Sequence, residues 1–175
     1  MSKAVMLSIR PKWVEKIASG EKTIEVRKTK PKLDTPFKCY IYCTLPKYPH
    51  EDFIATDYPR PQFYGGGKVV GEFTCNRVTN LFSNSRFWLD EDDVLHTCLS
   101  AAEMRKYANG ARGLYGWHIS DLLIYDQPRE LSEFRRATDP CDSCHAEYTW
   151  ECTGCKKLSG DIKRPPQSWC YVEEG

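Results

Sequence analysis

The stretch LSIRPKWVEKIASGEKTIEVRK, Leu7 to Lys28, decides the reading of this chain. Pro11 suits the first position of a helix, where its missing N–H removes no intrahelical bond. Trp13, Val14, Ile17 and Ala18 follow at helical spacing, and Gly20 supplies a left-handed stop, so the pattern predicts a helix from Pro11 to Ser19. The period then changes from helical to alternating, with Ile24 and Val26 interleaved among Thr23, Glu25 and Arg27. A strand of this pattern sends the two apolar residues into a core and the other three to the opposite face, with Glu25 and Arg27 about 6.6 Å apart along the chain. Lys22 stands where helix turns into strand. Lys22, Glu25 and Arg27 are thereby gathered in one place, which marks a site as well as a fold.

Working outward, Ala4 to Ile9 reads as a strand with Val5, Leu7 and Ile9 on one face. Lys38 to Thr44 alternates Cys39, Ile41 and Cys43 with Tyr40 and Tyr42, a two-sided strand, and Lys68 to Arg77 is another. Between them, Leu45 to Gly67 is rich in Pro, Tyr and Gly and predicts a long irregular excursion, either a ligand-contacting loop or a disordered one. Ser100 with Glu103 three residues on forms a capping box and predicts a helix to Ala108. Tyr115 to Tyr125 supplies one or two further strands, and Pro128 to Arg136 predicts a short helix. Near the C-terminus, RPPQSWCYVEE alternates Trp169 and Tyr171 with Cys170 and Val172, the pattern of a strand over 168–173 that returns beside the main sheet.

These features together resemble the ASCH family of the PUA-like superfold, whose recurring pattern is an apolar strand, a short helix and then Gly-x-Lys-x-x-Glu-x-Arg. Here the pattern reads Gly20, Lys22, Glu25 and Arg27. PFKCYIYCT (Pro36 to Thr44), GKVVGEFTCNRV (Gly67 to Val78) and YGWHISDLLIYDQPREL (Tyr115 to Leu131) follow in the family's order. The resemblance implies an α+β fold: a small, strongly curved β-barrel flanked by short helices, with a cleft around the first helix and the Lys/Glu/Arg strand. It further implies RNA or nucleotide ligands in that cleft. Some members of the family are amidohydrolases acting on acylated cytidine, and others are ribonucleases. In the amidohydrolase pattern a lysine at the Lys22 position works with a threonine where this chain has Glu25, and with a glutamate later in the chain. The threonine nucleophile is therefore missing. Thr23, two residues away, would share the face of Glu25, and Glu103 is a candidate late carboxylate.

The chain of 175 residues, 41% hydrophobic and 13% aromatic, is long enough for one sizeable core and has globular composition. We divide it into a principal ASCH/PUA-like domain over 1–137 and a zinc-binding segment over 138–175. The net charge of +1 conceals an uneven distribution. Between Arg10 and Lys32 eight basic residues face three acidic ones, whereas Asp90 to Asp93 is wholly acidic. One face can then attract phosphate while the whole protein stays nearly neutral. No apolar run approaches a membrane span, and MSKAVMLSIRPK lacks the apolar region of a secretory signal, so the expected location is cytoplasmic with no membrane partner.

Nine cysteines, an odd number, argue against a disulfide scaffold in such a setting. Cys141, Cys144, Cys152 and Cys155 form Cys-x2-Cys-x7-Cys-x2-Cys, two knuckles whose thiolates can converge on one tetrahedral zinc at about 2.3 Å. The surrounding DPCDSCHAEYTWECTGCKKLSGD is too small and polar to build a core, so metal binding worth on the order of 10 kcal/mol would order it. Four thiolates fill the shell, which makes the expected zinc structural. Redox dithiols and an iron-sulfur cluster are the alternatives, and His145 or Cys170 can take a ligand position. Cys39, Cys43 and Cys75 sit on strand patterns as small core residues, and Cys98 has no evident partner.

Each candidate site residue has two readings. Lys22 is a phosphate or base contact, or a proton-shuttling amine, against a plain turn lysine. Glu25 and Arg27 form a structural ion pair or a ligand-reading pair. Arg10 and Lys12 flank a helix start, where backbone N–H groups favour an anion, and Lys28 continues the basic run. Trp13 and Trp117 read as core aromatics, and His118 as a satisfied structural histidine. The leading expectation is a module binding single-stranded RNA or a nucleotide through Arg10, Lys12, Lys22, Glu25, Arg27 and Lys28. The alternative is a nucleoside or RNA hydrolase in the same cleft, with Lys22, Thr23 and Glu103 as catalytic candidates; for metal-free RNA cleavage, Lys22 would work with Tyr40 or Tyr64. A third class, a protein adaptor using the zinc unit, leaves the basic cleft unexplained.

Overall fold

The computed structural model describes residues 3–48, 50, 52–55, 63–83, 86–87, 91–137 and 160–173. In chain order these form β1 (Lys3–Ile9), α1 (Pro11–Ala18), β2 (Ile24–Arg27), β3 (Phe37–Cys43), β4 (Ile54–Ala55), β5 (Phe63–Tyr64) and β6 (Val69–Ser83). There follow β7 (Arg86–Phe87), α2 (Glu91–Thr97), α3 (Ala101–Ala108), β8 (Gly113–Arg129), β9 (Arg135–Arg136), β10 (Gly160–Asp161) and β11 (Trp169–Glu173). Nine strands make one sheet in the order β10-β9-β11-β1-β3-β6-β8-β2, with β7 paired to β6. This is a mixed α+β architecture dominated by a large curved sheet.

β1 explains the centre of that sheet. It pairs antiparallel with β11 and parallel with β3, and its alternate residues enter two different cores. Val5, Leu7 and Ile9 pack with Val14, Ile17, Phe37, Ile41, Phe73 and Trp117 in the principal core. Ala4 and Met6 face a second core with Tyr40, Tyr42, Val69, Phe134, Ile162 and Val172. A strand covered on both faces needs a continuous apolar run, and AVML supplies one.

Curvature comes from β6 and β8, which are 15 and 17 residues long and whose shared register shifts at four places. Each irregularity bends the ladder and increases its twist. The far edge strand, β2, pairs antiparallel with β8 so that Val26 lies opposite Gly116. A Cβ on Gly116 would come within 2.9 Å of both Ile24 Cγ2 and Thr79 Oγ1, so the bare glycine lets β2 lie down. Val26 then packs with Leu81, Met104, Ala108 and Leu114 beneath α3, in a third, smaller core.

The sheet is large and curved, as expected, and among the described residues no ladder joins β2 to the β10-β9-β11 edge. Side chains bridge the gap: Trp169 Nε1 donates to Thr29 Oγ1 at 2.9 Å, and the Lys32 amide donates to the Tyr171 hydroxyl at 2.7 Å. One expectation needs correction: Pro128 to Arg136 is not a helix. Pro128 lies within β8, a single 3-10 turn spans Leu131–Glu133, and Arg135–Arg136 joins the sheet as β9. The turn stops after three residues because Phe134 adopts extended backbone and inserts into the second core. The helix α2 covers Glu91–Thr97, where the sequence pattern predicted no element, with Val94 packed against the third core and Thr97 buried. Part of the Leu45 to Gly67 excursion is ordered as the β4-β5 pair.

Candidate ligand cleft

The backbone around Gly20 builds the site. Arg10 caps α1 in extended conformation without a side-chain cap bond, and Pro11 starts the helix. Gly20, at φ +80°, reverses the chain after Ser19, and the Lys22 amide then donates to the Lys16 carbonyl at 2.9 Å. This folds the Lys22 side chain inward, where it is 2% exposed.

Its ammonium is saturated. Nζ donates to the carbonyls of Ile24 at 2.8 Å and Thr97 at 2.7 Å, and stands 3.4 Å from Glu25 Oε2. The same group lies 5.3 Å from the centre of the Trp13 ring. Glu25 offers its other oxygen, Oε1, to Arg27 Nη2 at 3.0 Å. Nη2 also donates to the Ser8 carbonyl at 2.9 Å, while Nη1 faces the Ser168 carbonyl at 3.3 Å and its hydroxyl at 3.4 Å. Arg27 Nε is buried without a partner. Lys22, Glu25 and Arg27 thus form a buried charge row, a type of arrangement in which deleting one member leaves the others uncompensated at about 3–5 kcal/mol.

Above this row opens a cleft of about 820 Å³. Its walls are the start of α1 with Arg10, Lys12 and Trp13, one face of α3 with Glu103, Lys106 and Tyr107, and the segment Pro165 to Ser168 that leads into β11. Five cations and two carboxylates line it, a balance that favours an anionic ligand over a metal cation. Lys12 Nζ lies 4.3 Å from the Trp13 ring centre. Tyr107 has its hydroxyl pushed up from the ordinary phenol value, chiefly by burial.

Of the residues singled out in the sequence, Arg10, Lys12, Lys22, Glu25 and Arg27 converge on the cleft. Lys28 sits beside it, with Nζ 5.2 Å from the Tyr107 ring centre. Glu103 lines the cleft but is engaged at the start of α3, where its Oε2 accepts from the Ser100 amide and hydroxyl, both at 2.8 Å. Those bonds, the amide first, hold its carboxyl below the usual range. Thr23 does not share the face of Glu25. β2 begins only at Ile24, and Thr23 lies with Arg77 and His118 in a shallow depression elsewhere on the surface. Tyr40 is fully buried in the second core against Phe134, and Tyr64 lies exposed on β5, so neither tyrosine reaches the Lys22 ammonium's side of the molecule.

Trp117 is a core residue, edge-on to Phe37 at 5.6 Å, whereas Trp13 is a cleft wall as well as core packing. His118 is held by Arg77 at 3.2 Å and Thr79 at 3.1 Å, as a structural histidine. Cys141, Cys144, Cys152, Cys155 and His145 lie outside the described residues. Cys170 lies on β11 opposite Met6, and burial pushes its thiol up. Sequence reasoning missed Lys106, Tyr107 and the 165–168 wall. The first two were within reach, being three and four residues beyond Glu103 on one helix face; the wall has no local signal because it is placed by the pairing of β11 with β1.

Comparison with known families joins this geometry to the sequence pattern. Residues 7–80 match the ASCH domain model. The match spans β1 through most of β6 and includes Gly20, Lys22, Glu25 and Arg27; α3 and the 165–168 wall lie beyond it. The fold is shared with ASCH from Zymomonas mobilis, at 18% identity and a TM-score of 0.58, covering 98% of this chain and 88% of that one. A Ser-to-Ala variant of the same Zymomonas protein aligns at 16% identity and a TM-score of 0.55, covering 98% of this chain and 89% of that one. No curated protein matches the sequence. Among the described residues no helix is long and apolar enough to cross a membrane.

Proposed function

We propose that this ASCH-like chain binds single-stranded RNA or a single unstacked nucleotide in the cleft. The observation that carries the reading is the arrangement of charge by depth: exposed Arg10, Lys12 and Lys106 line the cleft, Trp13 and Tyr107 provide aromatic walls, and the buried row below is ion-paired, its two cations and one carboxylate leaving a single positive charge. The outer cations suit phosphate, and the rings suit the π-face of a splayed base. A structural zinc held by Cys141, Cys144, Cys152 and Cys155 is part of this proposal. So is a cytoplasmic setting, which suits the unpaired thiols of Cys39, Cys43, Cys75, Cys98 and Cys170.

Titration of a fluorescent single-stranded RNA at about 50 and about 200 mM salt tests it. Binding should weaken with salt, and Arg10→Ala and Lys106→Ala should each lower both the affinity and the salt slope, by about one unit for a lost phosphate contact. Affinity indifferent to salt and to both substitutions would sink the reading.

Binding, not hydrolysis, is the better account of the cleft. Glu25 stands where the family's acylcytidine chemistry uses a threonine, and a carboxylate there would repel a developing oxyanion. Thr23 lies outside the cleft, and the Ser8 hydroxyl is committed to the Pro166 carbonyl at 2.6 Å. We expect no turnover of N4-acetylcytidine. Robust turnover abolished by Lys22→Met would replace the binding reading with the enzymatic one.

A further inference from the structure

We infer that the cleft selects bases carrying an amino group over uracil, through Glu25. The inference rests on the nucleotide-binding reading and follows from accounting for hydrogens. An ammonium has three hydrogens, and Lys22 donates to Ile24 O and Thr97 O while its charge is paired with Glu25 Oε2 3.4 Å away. The four Nη hydrogens of Arg27 are drawn to Ser8 O, Glu25 Oε1 and the carbonyl and hydroxyl of Ser168. Among the described residues the Arg27 Nε hydrogen is the floor's unpartnered cationic donor, and its atom is fully buried.

Acceptor capacity does remain. A carboxylate offers about four lone-pair sites, and Glu25 uses one on each oxygen. It lines the cleft with 8% of its side chain accessible. A base that reaches the floor meets an acceptor. An exocyclic amine, as on cytosine or adenine, satisfies it; the O4 carbonyl of uracil places two acceptors face to face and leaves both unpaired. Lys22 and Arg27 on this account do not touch the base. They hold the carboxylate in place.

Gln167 offers an uncharged contact beside it. Its side chain is the one carboxamide lining the cleft among the described residues. It sits on the wall preceding β11, and can complete the contact with a ring nitrogen next to an amine.

Cytosine and uracil are nearly isosteric, so CMP and UMP isolate the effect. Each would compete against the labelled RNA strand. CMP should bind about tenfold or more tightly, the size of a hydrogen bond to a charged acceptor. Glu25→Gln, whose amide can present either N–H or C=O, should reduce the ratio to about threefold or less. Equal affinity of the wild type for CMP and UMP, or preference for UMP, with RNA binding intact, overturns this inference and leaves the binding reading standing. Absence of any RNA or nucleotide binding overturns both. The wild-type ratio needs no variant, so a Glu25→Gln protein that fails to fold does not spare the inference.

Discussion

Arg27 on β2 reaches across the open seam of the sheet to the Ser8 carbonyl on β1, with Nη2 at 2.9 Å. The same guanidinium faces Ser168 just before β11, so one side chain touches the edge strand, the central strand and the C-terminal wall of the cleft. Where backbone pairing is missing, a five-hydrogen planar fork does part of its work.

Arg27→Met keeps the length of the side chain and removes those bonds, leaving Glu25 with Lys22 alone. We expect a loss of about 3–5 kcal/mol, the usual result of breaking a buried ion pair from one side. Urea unfolding followed by tryptophan emission would measure it, with the rings of Trp117 and Trp169 tilted against each other near the seam at 5.9 Å. Arg27→Lys should rescue little, since one ammonium cannot reach three elements. A loss below about 1 kcal/mol for the methionine variant would show that the seam is held by something else.

How much of this was legible in the sequence depends on the range of the determining contact. Pro11, Gly20 and the Ser100/Glu103 box act within one turn of chain, and the structure places α1 and α3 accordingly. Lys22, Glu25 and Arg27 were readable as a group because one turn and one strand bring them together. Their burial was not readable. It depends on Thr97 at the end of α2 and Ser168 before β11, 75 and 141 residues away from Lys22 and Arg27. The face assignment of Thr23 failed for a local reason, since alternation holds only within a strand and β2 starts one residue later.

The capping glutamates give a pH dependence with a definite sign. Glu103 is held below the ordinary carboxylate range first by the Ser100 amide, and Glu133 likewise first by the Glu130 amide. A depressed folded value means that the stabilisation is fully present above the unfolded value of about 4.3 and is lost as pH falls through the lower folded value. Stability should therefore decline on acidification below about pH 4.3. Glu103→Gln, which removes the titrating carboxylate from the cap, should flatten that decline. Thermal melts of both proteins between neutral and acid pH would show it; parallel curves would contradict the assignment.

Burial should silence three thiols. It raises Cys43 to about 12 and Cys75 to about 11, and pushes Cys39 well up. Thiolate is the reactive form, so iodoacetamide at neutral pH should spare these residues in the folded protein and modify them after denaturation. Peptide mass mapping reads the outcome directly. Labelling of Cys39 in the folded state would mean that the principal core opens far more readily than its packing implies.

The zinc proposal makes a separable prediction because of where its segment joins the sheet. Gly160 pairs with Arg136, and Asp161 with Arg135, so the two ends of the stretch carrying Cys141, Cys144, Cys152 and Cys155 are fastened side by side. β11 follows and pairs over five residues with β1. Removing metal should therefore cost order between those ends while the sheet, with its core of Val5, Leu7 and Trp117, stays folded. Protein purified without chelator should contain about one zinc per chain, with metal lost on substitution of Cys141 or Cys155 by serine. Chelation should increase amide exchange between residues 137 and 160, leaving β1 and β3 protected. The cleft wall at 165–168 lies beyond the β10 fastening and is tied to Ser8, whose amide donates to the Ser168 carbonyl at 2.9 Å. RNA affinity should accordingly change by less than about threefold on chelation, a small fraction of what one lost phosphate contact costs in salt sensitivity. Substoichiometric zinc, or retention of full zinc by either serine variant, would refute the ligand set.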